Sequence, residues 1–200
     1  MTKPSLKLGF LASRNGSSLR AIVGAIRAGT LDAQARLVVS NNRAAPALAF
    51  AAEAGIPELC IPTQADAETA DRRLAAALTE AGVELVVLSG YLRRLGPVTL
   101  AAYRDRILNI HPGPLPAFGG EGMYGRKVHE AVIAAGAAQS EITIHLVDEE
   151  YDHGAVLARR AVPIAPGETA DSLEARVTAL EPEVFVETLQ RIARGELVLP

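Results

Sequence analysis

Up to residue 90 the chain alternates short apolar runs with amphipathic stretches. Residues 6–12 (LKLGFLA) are apolar without helical period and read as a first strand. A small polar loop follows, and then Leu19, Ile22, Val23 and Ile26 recur at the spacing of an amphipathic helix. Residues 36–40 (RLVVS) read as a second strand and 44–54 as an alanine-rich helix closed by Gly55. A short strand at 59–61 is stopped by Pro62. Residues 66–81 predict a helix with Leu74 and Leu78 inward and Gly82 as its stop. The unbroken run 84–89 (ELVVLS) predicts a strand buried on both faces. Four such alternations imply a parallel sheet with right-handed crossovers.

The second half is less regular. A short helix around 97–103 leads to 107–116, ILNIHPGPLP, where an apolar run ends in Asn109 and His111 and three prolines follow within five residues. Proline has no N–H to donate, so the strand stops there. Residues 117–125 (AFGGEGMYG) carry four glycines and no period, which predicts a mobile loop; 126–135 reads as a helix. Residues 141–148 alternate, with Thr143, His145 and Val147 on one face and Ile142, Ile144 and Leu146 on the other. A strand at 155–164 is close enough in sequence to run antiparallel to it. Residues 169–194 form a long helical pattern in which Pro182 is expected to kink or split the helix at Glu181. There are no repeats or linkers, so residues 1–200 read as one domain.

Composition adds bounds. Apolar residues make up 49% and charged residues 22%, an ordinary globular balance. A net charge of -3 leaves no basic footprint for nucleic acid. The single cysteine, Cys60, excludes an internal disulfide and fits a reducing cytosol. No apolar run approaches the ~18 residues of a membrane span, and the start MTKPSLKLGF lacks a signal-peptide pattern. A cytoplasmic protein is expected.

Two stretches carry candidate chemistry. Asn109 and His111 share one side of a strand end, where open α/β sheets bind ligands. A donor amide beside a group that titrates near neutrality suits catalysis; a histidine simply packed on a strand end is the other reading. The order strand, Gly16-Ser17-Ser18, helix suits a single phosphate at the helix's positive end, since neither a GxGxxG nor a Walker pattern is present. Ser17 or Ser18 capping the helix without a ligand is the alternative.

LNIHPGPLP, HLVDEEYDHG and NGSSLRAI resemble the phosphoribosylglycinamide formyltransferases of purine synthesis, and the likeness runs from the first strand to the final helix. The resemblance implies a Rossmann-like formyltransferase fold: an open, mostly parallel twisted sheet flanked by helices, with an antiparallel C-terminal strand. It implies formyl transfer from 10-formyltetrahydrofolate to the amine of glycinamide ribonucleotide by Asn109, His111 and Asp152, without a metal. Asp152 is expected to raise the pKa of His111 and hold it protonated over a tetrahedral intermediate.

By the same resemblance Gly16, Ser17 and Ser18 hold the substrate phosphate and Glu181 lies near its amine. Leu92, Arg93, Arg94 and Leu95, with Asn109 and with Asp148, Glu149, Glu150, Tyr151 and Asp152, border the folate. The chain departs from the pattern at Ser13-Arg14, at HPGPLP, and at Ala67, where some members carry an arginine near the folate tail. The partners implied are these two small molecules only, on a monomer or homodimer. Methionyl-tRNA formyltransferase and formyltetrahydrofolate hydrolase share the same three residues; each is expected to carry a further domain. A non-catalytic binder of a phosphorylated metabolite is the remaining alternative.

Overall fold

The computed structural model describes residues 5–200; the N-terminal MTKP read above lies outside the described residues. In chain order it runs β1 (Leu6–Leu11), α1 (Ser17–Arg27), β2 (Ala33–Ser40), α2 (Pro46–Glu53), β3 (Glu58–Cys60), α3 (Ala67–Glu80) and β4 (Leu85–Leu88). Then come α4 (Pro97–Ala102), β5 (Ile107–His111), α5 (Arg126–Ala134), β6 (Gln139–Leu146), β7 (Val156–Pro163) and α6 (Ala170–Arg194). β2 begins at Ala33 rather than at 36 because its alternating first residues pair with β1, Leu6 opposite Ala33.

The seven strands form one sheet in the order β3-β2-β1-β4-β5-β6-β7. β1 to β5 are parallel; β6 is antiparallel to both of its neighbours, so it alone is reversed. The chain builds outward from β1 to β3 and then returns to place β4 on the other side of β1. That reversal opens a crevice at the carboxyl ends of β1 and β4, the place where such sheets bind ligands. The crevice walls are tied together: Ser13 N–H donates to the Gly90 carbonyl at 3.1 Å, and Leu92 N–H to Ser13 Oγ at 2.8 Å.

Alternation along the strands divides the core. Phe10, Leu108, Ile142 and Ile144 pack with Phe185 and Leu189 of α6 on one face of the sheet. Leu11, Val86 and Ile107 pack with Leu74 and Leu78 of α3 on the other. Gly9 is required by close approach, since a Cβ there would lie 2.8 Å from Leu78 Cδ2. Cys60 is half-buried against the first of these clusters.

Helix ends follow sequence logic where the side chains allow. Asp66 caps α3 by accepting from Thr69 N–H at 2.9 Å, and Thr169 caps α6 by accepting from Ser172 N–H at 3.2 Å. Gly195, at φ 74°, closes α6. The expected break at Pro182 is absent: α6 is one helix of 25 residues with Pro182 inside it. Thr178, whose carbonyl loses its partner, is exposed, while Leu173 and Val177 before the proline and Val184, Phe185 and Leu189 after it are buried.

Candidate active site

Two neighbouring strand ends and two loops meet at one carboxylate. Asn109 and His111 are the third and last residues of β5, and antiparallel pairing sets Asn109 opposite His145 of β6. The loop after β6 turns back and carries Asp152 between the two imidazoles. Its Oδ2 is 3.4 Å from His111 Nδ1 and its Oδ1 is 3.4 Å from His145 Nε2. Asp152 adopts φ 55°, a left-handed conformation uncommon outside glycine.

The glycine-rich segment closes the other side. Gly120 N–H donates to Asp152 Oδ2 at 3.1 Å, and His111 Nε2 lies 2.8 Å from the Phe118 carbonyl. A Cβ on Gly119 would stand 3.0 Å from Asp152 Cβ and closer still to Leu115, so this approach needs glycine. The first half of the predicted loop is therefore docked on His111 and Asp152.

Electrostatics corrects one expectation. Burial pushes the His111 pKa below the ordinary imidazole value, outweighing the Asp152 carboxylate and the Phe118 carbonyl, which favour the cation. Asp152 does pull in the expected direction, but the ring is only 2% exposed and the net shift is downward. The Phe118 carbonyl can only accept, so the neutral ring carries its proton on Nε2. Asp152 behaves oppositely. Burial raises its pKa, but the His145 and His111 rings and the Gly120 N–H together bring it below the usual carboxylate value.

Across the crevice, Gly16 sits at φ 67° as the residue before α1, and no side chain caps that helix. Neither Ser17 nor Ser18 supplies a cap; Ser17 is exposed and Ser18 buried. Leu19 N–H is taken by Ser89 Oγ at 3.0 Å. The N–H groups just before it precede the first intrahelical bond, Arg20 N–H to the Gly16 carbonyl at 3.0 Å, and carry the helix's positive end.

Glu181 lies on the inner side of α6, and burial, with the like charge of Glu174, pushes its pKa up to about 7. Its position inside an unbroken helix replaces the outward-turned carboxylate expected at a proline break.

Arg94, Leu95, Asp148, Glu149 and Glu150, among the residues implied to border a folate, line two hollows. Val147, Asp148, Glu149, Glu150 and Arg104 line one, beside α4. Ala67, Asp71, Tyr91, Arg94 and Leu95 line the other. Arg94 joins them: it donates to the Glu149 carbonyl at 2.7 Å and lies 5.4 Å from the centre of the Tyr151 ring. Leu92 is exposed and Leu95 buried; Arg93 is exposed. Asp148 pairs with His153 at 2.9 Å and accepts from Glu150 N–H at 2.8 Å, which shapes the loop. Among the described residues no group of three potential ligands is placed to hold a metal. No described helix is long and apolar enough to cross a membrane.

Sequence reasoning missed His145. Its place on the same strand face as Thr143 was legible, but nothing in the pattern said that β6 would lie beside β5 with His145 opposite Asn109. A second histidine on the strand next to Asn109 and His111 was the available signal.

Comparison with known proteins adds the family. The formyl transferase family model matches residues 6–189. A chloroplastic phosphoribosylglycinamide formyltransferase of Vigna unguiculata is 39% identical over 96% of this chain, which spans 62% of that relative's length. The Bacillus subtilis phosphoribosylglycinamide formyltransferase is 34% identical over 95% of this chain and 98% of its own. The crystal structure of glycinamide ribonucleotide transformylase 1 from Symbiobacterium toebii superposes with a TM-score of 0.87 at 33% identity, covering 98% of this chain and 91% of that one. The chain belongs to the formyl transferase family, among its phosphoribosylglycinamide formyltransferases.

Proposed function

We propose that the protein transfers the formyl group of 10-formyltetrahydrofolate to the amine of glycinamide ribonucleotide, as a cytoplasmic step of purine synthesis. The observation that carries the reading is the meeting of Asn109, His111 and Asp152, from separate parts of the chain, at the carboxyl ends of the strands. The uncapped start of α1 at Gly16, Ser17 and Ser18 suits the nucleotide's phosphate, and Glu181 its amine. The two hollows, one lined by Arg94 and the other by residues 148–150 and tied together by the Arg94 bond to the Glu149 carbonyl, suit the folate.

The chemistry follows from these positions. The amine nitrogen attacks the formyl carbon, forming a C–N bond and a tetrahedral oxyanion. Asn109 offers an amide N–H to that oxygen. The proton the amine loses is taken up by the His111–Asp152 pair. The imidazolium then has a donor at each nitrogen: Nδ1 toward Asp152, and Nε2 toward the oxyanion in place of the Phe118 carbonyl. The charge on His111 thus appears with the oxyanion rather than before it, which reconciles its lowered pKa with a role for Asp152. The C–N bond to the folate breaks and the proton passes to the departing nitrogen. The anchored phosphate contributes orientation to an amine several bonds away. No step uses a metal.

Incubation with 10-formyltetrahydrofolate, with and without glycinamide ribonucleotide, tests this. Formyl transfer that depends on the nucleotide is expected. Formate release without it would move the reading to a hydrolase, and no turnover at all to a binding protein.

A further inference from the structure

We infer that His145 is a positioning residue for this reaction: it decides which edge of the Asn109 amide faces the reacting carbonyl. The inference rests on the functional reading above for its consequence, but on hydrogen-bond chemistry for its geometry.

His145 is 2% exposed, so both ring nitrogens must find partners within the protein. Nδ1 lies 2.8 Å from the Leu146 carbonyl, which can only accept. Nδ1 therefore carries a proton, and Nε2, facing an amide nitrogen that can only donate, presents a lone pair. The nearest side chain to that lone pair is the Asn109 amide, with Nδ2 at 3.2 Å. One Asn109 N–H is thereby committed to His145. A flipped amide would set its oxygen against the lone pair, and the flip is disfavoured by roughly the cost of an unmade buried hydrogen bond, a factor of ~5 to 100 in population.

Fixing the amide matters because its two edges have opposite effects. With nitrogen toward His145, the second N–H remains to meet a developing oxyanion. With oxygen there instead, the amide would repel it. Asn109 is partly exposed, and no second partner takes its other N–H among the described residues. Asp152 Oδ1 lies farther from the same ring nitrogen, at 3.4 Å, while Oδ2 is held independently by Gly120 and His111. Losing His145 therefore frees Asn109 and removes one of the groups that lower the Asp152 pKa, while Oδ2 keeps its contacts to Gly120 and His111.

Two measurements test this. In the first, kcat and both KM values are compared for His145→Leu and His145→Gln. The leucine should cost about 10²-fold in kcat, the scale of one oxyanion donor, with both KM values within ~3-fold. The glutamine, which keeps an acceptor oxygen near the position of Nε2, should recover most of that loss. A leucine variant with near wild-type kcat, or equal impairment of the two variants, overturns the inference. In the second, nitrogen NMR of the ring in the wild-type protein should show Nδ1 protonated and Nε2 bare at neutral pH. A proton on Nε2 overturns the inference whatever the variants do. Absence of formyl transfer by the wild type would sink the functional reading, while the ring signals still decide the His145 assignment.

Discussion

The ends of β5 and β6 and the middle of α6 each hold a partly buried carboxylate, and the two are treated in opposite ways. Burial raises the pKa of both Asp152 and Glu181. Asp152 accepts from a backbone N–H and has two imidazoles within reach that donate to it when protonated, and it remains below the usual carboxylate range. Among the described residues Glu181 faces only the like charge of Glu174, and it rises to about 7. Desolvation is common to both, so the neighbours make the difference. Groups that the protein itself satisfies are ready for chemistry. Groups left without partners, Glu181 and the uncapped start of α1, are ready for a substrate that brings its own charges. Separated pKa values of this kind are how one site assigns different tasks to like groups.

The sharpest way to break this contrast is on the satisfied side. His111→Ala should lower kcat by about 10³-fold, and adding Asp152→Asn should cost little more, because the pair acts as a unit. Additive losses in steady-state kinetics would show that the two carboxylate-side residues work separately.

Next in size is the phosphate loop. Gly16→Val should raise the KM for glycinamide ribonucleotide ~10- to 100-fold, the worth of charge-assisted hydrogen bonds, and leave that for the folate within ~3-fold. Gly16 has φ 67° and a Cβ there would crowd Leu19 and Ala47, so a melting curve must accompany the kinetics. Equal effects on both KM values would move the phosphate elsewhere.

The smallest effects concern Glu181. Glu181→Gln should weaken nucleotide binding ~5-fold and spare the folate, as titration calorimetry can show. It should also change the pH dependence of stability. The folded pKa is raised from 4.5 to about 7, so between those values the native state binds more protons than the unfolded chain and stability falls as pH rises. Removing the titration should stabilise the protein above pH ~7 by about 1–2 kcal/mol and leave it unchanged near pH ~4. Melting curves with equal gains at both ends would show that Glu181 titrates alike in the folded and unfolded chain.

The β–α alternation, the strand end at His111 and the reversed β6 hairpin were legible because periodicity and proline placement report backbone geometry directly. Continuity of α6 through Pro182 was not. Packing of Val184, Phe185 and Leu189 outweighs one lost hydrogen bond, and packing has no local signature. The charge state of His111 was hidden for a similar reason. A carboxylate could be named from the chain, but its pull loses to the burial of a ring covered by Phe118 and Gly120, which only the folded loop reveals. His145 needed the β5–β6 register, a long-range fact.

The central assignment is that Asp152 stabilises a cation formed on His111 only as the formyl carbon is attacked. Single-turnover formyl transfer by Asp152→Asn at neutral pH, with both substrates saturating, tests it most directly. The substitution keeps the shape and removes the charge, so the rate should fall by ~10²- to 10⁴-fold while both substrates bind within ~3-fold of wild type. A rate near that of the wild type would contradict the assignment.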